Sequence, residues 1–279
     1  LTSITIKHEG KNTALSSLRV AGGSTTELTA TGWYYGNKVY SADTSFTWSV
    51  SDALGTIDED GTFTAVQTGR DVTGTLTVTY GETSCTLPVT VGSSQPFDDT
   101  KGHWAESYIT ELYYAGTLQG SEKNGKLYYR PDASMTRQEF IVAMMRYLGT
   151  DLSAYASVQL PFDDSGSIAS WAKSAMQAAY QLGYLTGSKT NGKLLAKPGS
   201  TISRQEAMTI LSRTKDFADA DLNVLSAFSD SGKIADWART ALAQMTQQKI
   251  ISGSKGKLNP TGKVTRAEVA KMLYMLSES

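Results

Sequence analysis

The stretch FDDTKGHWAESYI, Phe97 to Ile109, returns twice, as FDDSGSIASWA from Phe162 to Ala172 and as FSDSGKIADWA from Phe228 to Ala238. Each copy is followed by a second shared stretch: MTRQEF (Met135 to Phe140), ISRQEA (Ile202 to Ala207) and VTRAEV (Val264 to Val269). Trp104, Trp171 and Trp237 stand 67 and 66 residues apart, and Gly120, Gly187 and Gly253 keep the same spacings. Pro131, Pro198 and Pro260 stand 67 and 62 apart, as do Arg137, Arg204 and Arg266, so the third copy is shorter between its Gly and its Pro. Loops tolerate such deletions. One register over four landmarks is an internal repeat of three supersecondary units, each too small to bury its apolar face alone.

Each unit reads as Phe-x-Asp, a loop, Trp-Ala opening a first helix, a Gly turn, a short irregular or extended segment to Pro, and Thr or Ser-Arg-x-Glu opening a second helix. The apolar spacing from residue 97 onward is helical, as in Trp104, Tyr108, Leu112 and Ala115, or Phe140, Met144 and Leu148. The units must pack on one another. The period alone leaves open whether they stack as a solenoid or close into a body with threefold pseudo-symmetry.

Upstream, residues 1–92 are rich in Thr, Ser and Gly and alternate with period two. The alternation predicts strands at Ser3 to His8, Thr26 to Thr31, Ser45 to Val50, Thr62 to Ala65, Gly74 to Tyr80 and Cys85 to Val91, with turns at Gly36-Asn37, Asp60-Gly61 and Gly81-Glu82. Short strands at this spacing suggest a β-sandwich with Trp48, Ile57, Phe63, Leu76, Val78 and Tyr80 as core candidates. Gly92 to Pro96 has a linker's composition. The expected organisation is a β domain at 1–92, a linker at 93–96, and repeats at 97–160, 161–227 and 228–279.

The 279 residues carry a net charge of −1, which argues against a nucleic-acid partner held by a chain-wide positive field. No apolar run reaches 18 residues, so no membrane insertion is expected, and a start at Leu1 suggests a mature or truncated piece. The single cysteine excludes an internal disulfide and a multi-cysteine metal site. His8 and His103 lie in different halves of the chain, which disfavours His-dependent nucleophilic catalysis. Asp58, Glu59 and Asp60 before Gly61 could converge on calcium, but a solvated turn explains them without a metal. No cofactor is expected.

Thr136 with Glu139, Ser203 with Glu206 and Thr265 with Glu268 have the spacing of a capping box, which accounts for these residues structurally. Arg137, Arg204 and Arg266 then fall at the first helical position, where the helix dipole disfavours a cation. Two partners could compensate them. One is an internal carboxylate such as Asp99, Asp164 or Asp230; the other is a bound carboxylate or phosphate at the helix N-terminus. Trp104, Trp171 and Trp237 add stacking faces for a sugar ring, against the plainer reading of anchoring their helices.

These repeated motifs resemble three S-layer homology modules over about residues 97–276, and the run Trp48 to Ala65 with Thr75 to Gly81 resembles a bacterial Ig-like (BIG2-type) domain. The sequence departs from the family's TRAE motif at Gln138, Gln205 and Ser203. The resemblance implies an all-β Ig-like sandwich followed by an all-α-dominated pseudo-threefold bundle of three helical hairpins, with ligand grooves between units. It implies a non-catalytic anchor in the extracellular wall of a Gram-positive-type envelope. The partner would be an anionic cell-wall polysaccharide, peptidoglycan-linked and carrying a pyruvate ketal. Its contacts would be Arg137, Arg204, Arg266, Trp104, Trp171, Trp237, Asp99, Asp164 and Asp230. Residues 1–92 hold five Lys/Arg and nine Asp/Glu, leaving the repeat half mildly cationic. The alternatives are a protein-binding or lattice-forming module, and the C-terminal part of an exported glycan-active enzyme. Paired carboxylates at Asp98/Asp99 and Asp163/Asp164 make a poor catalytic pair, being adjacent in sequence, and the third copy has Ser229.

Overall fold

A computed structural model describes residues 1–35, 37–38 and 45–277. Gly36 of the expected Gly36-Asn37 turn lies outside the described residues. The chain forms two compact units, Leu1–Lys101 with Tyr113–Ala115, and Gly102–Leu112 with Gly116–Ser279.

The first unit holds strands β1 (Ser3–His8), β2 (Leu18–Ala21), β3 (Thr25–Tyr34), β4 (Asn37–Lys38), β5 (Thr47–Val50), β6 (Gly55–Ile57), β7 (Thr62–Ala65), β8 (Val72–Tyr80) and β9 (Thr83–Gly92). They make two sheets, one ordered β1-β3-β7-β6 with β4 on β3, the other β2-β9-β8-β5. Pairing is antiparallel except for β2, which runs parallel to β9. Ile4, Ile6, Leu28 and Phe63 from one sheet and Val20, Leu76, Val78, Leu87 and Val91 from the other share one buried core. Period-two alternation puts every second residue of each strand there, and each large side chain so buried contributes roughly 1.5–3 kcal/mol.

Two expectations change. Tyr80, a core candidate by parity, is 38% exposed, because it ends β8 where the chain turns at Gly81. Residues 93–96 are not a free linker: Ser94 N donates to Thr68 O (3.0 Å), and the Tyr114 hydroxyl donates to Ser93 O (2.8 Å). Cys85 is half-buried against the core, and burial raises its thiol pKa. At the acidic turn, Asp58 Oδ1 accepts from the amides of Asp60 and Thr62 (3.1 and 2.8 Å).

The helical region contains α1 (Glu106–Tyr114), β10 (Ser121–Lys123), β11 (Lys126–Tyr128), α2 (Arg137–Tyr147), α3 (Lys173–Gln181), β12 (Ser188–Thr190), β13 (Lys193–Leu195), α4 (Arg204–Leu211), α5 (Asp236–Gln247) and α6 (Arg266–Ser277). The repeats are therefore not purely helical. The first two carry antiparallel hairpins β10-β11 and β12-β13, turned by Asn124-Gly125 and Asn191-Gly192 in left-handed backbone. The third, with its shorter loop, keeps only the bridge Ser254–Lys257 around Lys255-Gly256.

The three units are stitched by backbone. Met135 N donates to Val264 O (3.1 Å), Val264 N to Ile202 O (3.1 Å) and Ile202 N to Met135 O (3.0 Å), which closes a ring of three hydrogen bonds. Around it, Arg137 N donates to Ser200 O, Arg204 N to Gly262 O and Arg266 N to Ala133 O. The first amide of each second helix is thus satisfied by another unit rather than by water. Met135, Ile202 and Val264 are themselves buried.

Candidate functional site

Each second helix opens on its cap. The Thr136 amide and hydroxyl donate to Glu139 Oε2 (both 2.8 Å), and those of Ser203 donate to Glu206 Oε2 (2.8 and 2.7 Å). Thr265 N donates to Glu268 Oε2 (2.9 Å), and Glu268 N returns to Thr265 Oγ1 (3.2 Å).

The other oxygen of two of these carboxylates answers the question of the arginines. Arg137 Nη1 meets Glu206 Oε1 at 2.9 Å, and Arg204 Nη1 meets Glu268 Oε1 at 3.0 Å. A guanidinium disfavoured by its own helix dipole is therefore bonded directly to the cap glutamate of the next unit rather than to one of the aspartates expected from the sequence, although the charge of Asp164 also acts on Arg137. Arg137 and Arg204 are mostly buried, and desolvation lowers their pKa against the opposing pull of these glutamates. Arg266 is held otherwise. Its Nε donates to Tyr129 O (2.7 Å) and its Nη2 to Gln119 O (2.9 Å), with the guanidinium 4.5 Å from the Tyr129 ring centroid.

Two aspartates hold the loops before Pro198 and Pro260, and the first of these loops receives Arg137. Asp164 accepts from Ala196 N and Lys197 N (both 2.7 Å), and Ala196 O in turn accepts from Arg137 Nε (3.0 Å). Asp230 accepts from Leu258 N and Asn259 N (2.9 and 2.8 Å). Desolvation pushes the Asp230 pKa up, but these amides outweigh it and hold the carboxyl below its ordinary value. Lys197 and Asn259 have φ of 52° and 53°, so the carboxylates fix a left-handed residue just before Pro198 and Pro260. Asp99 is half-buried.

The tryptophans are the reverse of core anchors: Trp104, Trp171 and Trp237 are 55%, 57% and 58% exposed. Trp171 lines a cleft of about 500 Å³ with Gln119, Gly120, Glu139, Arg146 and Arg266. Trp237 lines an equivalent cleft of about 360 Å³ with Arg137, Thr186, Glu206 and Arg213. Each cleft joins residues of all three units: the motif arginine of one, the second helix of the next, and the indole of the one after. The expected contacts Asp99, Asp164 and Asp230 line neither cleft. Gly187 lines the second cleft at φ 71°, where a Cβ would strike the Phe162 ring, so a side chain is excluded from that wall.

Sequence reasoning missed Arg146 and Arg213. Both stand nine residues after a motif arginine, whereas the third copy has Met275 at that place; extending the repeat register along the second helix shows the pair. It also missed what the motif glutamines do. Gln138 Oε1 accepts from Ala169 N and Gln205 Oε1 from Ala235 N (both 3.0 Å), each amide two residues ahead of the next unit's tryptophan. Ala267 offers no such oxygen, and the corresponding Gly102 N donates to Glu106 of its own unit (2.8 Å). Gln205→Ala should therefore cost about 1 kcal/mol, the low end for an unpaired amide, since Ala235 is only half-buried. Faster hydrogen exchange at residues 235–238 and an altered Trp237 emission would report it; unchanged exchange there would refute the stitch.

The S-layer homology domain model matches residues 96–141, 161–208 and 227–270. Among curated proteins, the chain is 28% identical over 207 residues to an amylopullulanase of Thermoanaerobacterium thermosulfurigenes, covering 72% of the chain and 10% of that protein. It is 28% identical over 242 residues to the exoglucanase XynX of Acetivibrio thermocellus, covering 84% of the chain and 21% of that protein. It is 32% identical over 192 residues to a surface-layer 125 kDa protein of Lysinibacillus sphaericus, covering 65% of the chain and 15% of that protein. The chain thus spans about a tenth to a fifth of the length of these relatives. Among the described residues, no helix is long and apolar enough to cross a membrane.

Proposed function

We propose, from the premise that the chain carries three S-layer homology domains and so serves cell-surface anchoring, that it holds its parent protein to the bacterial wall by binding an acidic secondary cell-wall polysaccharide. The observation that carries this reading is the pair of clefts in which a half-exposed indole and arginines face the same space. An indole face stacks on a sugar ring, and a guanidinium fork meets a carboxylate such as that of a pyruvate ketal. Arg137 and Arg266, with Trp171 and Trp237, are the contacts of these two clefts. Arg204 and Trp104 belong to the third junction, and Asp164 and Asp230 act by fixing the loops before Pro198 and Pro260.

The closed ring through Met135, Ile202 and Val264 supports a pseudo-threefold arrangement of the repeats. The two sheets of residues 1–92 around one core support an Ig-like spacer. In this reading the chain is not catalytic, and any catalysis in the parent lies in residues outside it. Two clefts engaged by one polymer would raise retention through effective concentration. Co-sedimentation of the chain with purified wall, before and after extraction of the glycopolymer, tests the reading. Pelleting only with the polymer-bearing wall is expected; equal pelleting with stripped wall would refute it.

A further inference from the structure

In both clefts the motif arginine is already committed to partners within the protein. Arg137 is paired with Glu206 and bonded to Ala196 O; Arg266 is spent on two carbonyls and a tyrosine face. In the second cleft the Arg137–Glu206 pair is electrically neutral as a unit. A neutral pair orients a ligand but does not by itself attract an anion. Among the described residues, the cation left over in that cleft is Arg213, which is exposed and donates to neutral oxygens, Tyr184 O (2.8 Å) and Thr186 Oγ1 (3.5 Å). In the first cleft the equivalent side chain is Arg146, also exposed. Among the described residues neither has a carboxylate within ion-pair distance. Arg213 is near enough to Arg137 to feel its charge: desolvation and then that neighbouring cation both lower the Arg213 pKa.

We infer that Arg213 makes the second cleft select an acidic saccharide, supplying the charge that the Arg137–Glu206 pair does not, and that Arg146 adds to the charge of Arg266 in the first cleft in the same way. This rests on the wall-binding reading above. Without Arg213 the second cleft is left with one arginine against one glutamate and no net attraction for an anion. The first cleft also holds Arg266, whose guanidinium donates to neutral carbonyls, so removal of Arg146 weakens the attraction less there than removal of Arg213 does in the second. The third copy has Met275 at this place and Lys271 where Val142 and Thr209 line the first two clefts, so the device serves two clefts in this form.

The experiment measures binding of the full chain to polymer-bearing wall over a salt series, for wild type, the pair Arg146→Gln/Arg213→Gln, and the pair Arg146→Lys/Arg213→Lys. The glutamine pair should bind about tenfold more weakly at low salt and with a clearly shallower salt dependence, because screening acts on the attraction that has been removed; the part that remains belongs to Arg266 in the first cleft. The lysine pair, which keeps the charge, should retain the wild-type salt dependence. A glutamine pair that binds like wild type with the same salt response overturns the inference, as does a lysine pair that behaves like the glutamine pair. Were the glutamine pair to misfold, the lysine pair decides by the same criterion. Failure of the wild type to bind polymer-bearing wall in preference to stripped wall would instead refute the wall-binding reading itself.

Discussion

Glu206→Ala is expected to destabilise the helical region by about 2–4 kcal/mol, far more than loss of a helix cap. Removing one partner of a buried ion pair costs about 3–5 kcal/mol, reduced here because the Glu206 side chain is about a third exposed while Arg137 is only 11% exposed. The lost cap adds about 1 kcal/mol. The penalty is large because Arg137 is left mostly buried at the positive end of its own helix without its directly bonded carboxylate, with only the charge of Asp164 still acting on it. Two comparisons isolate the cause. Ser203→Ala removes cap contacts alone and should cost about 1 kcal/mol. Glu139→Ala should behave like Ser203→Ala, because among the described residues Glu139 has no arginine within ion-pair distance. Urea unfolding of the three variants checks the ranking; equal losses at Glu206 and Glu139 would show that Arg137 does not depend on its neighbour's carboxylate.

The same two side chains show how far the sequence could be read. The cap spacing Ser/Thr-x-x-Glu is local, so Thr136 with Glu139 and Thr265 with Glu268 are legible from three consecutive bonds of helix geometry. The electrostatic misfit of the arginines was legible too. Their partner was not, because Arg137 and Glu206 stand 69 residues apart and meet only once two units are packed. The aspartates look like ligand contacts for the same reason: nothing local shows that Asp164 is consumed by the amides of Ala196 and Lys197. In the β region, β7 and β8 announce themselves by alternation, while β2 and β6 are too short to establish a period against their Gly- and Ser-rich surroundings. The hairpin turns Asn124-Gly125 and Asn191-Gly192 did carry a local signal, masked by the helical period on either side.

Trp171→Ala combined with Trp237→Ala should abolish most wall binding while leaving the fold intact. Both indoles are more than half exposed, and surface truncations of this kind usually change stability by within about 0.5 kcal/mol. An aromatic that anchors a ligand typically carries about 2 kcal/mol or more, so each cleft should lose roughly thirtyfold in affinity. If both clefts engage one polymer, the losses compound and retention falls further than either single variant predicts. The motif arginines are less clean probes, since Arg137→Ala would also strand Glu206 and free Ala196 O. Unfolding midpoints equal to wild type together with lost co-sedimentation is the expected result. Retained wall binding in the folded double variant would remove the indoles from the site and leave the clefts as structural seams between units. A lower unfolding midpoint of several degrees would mean that these side chains are packing against the neighbouring unit, which their exposure argues against.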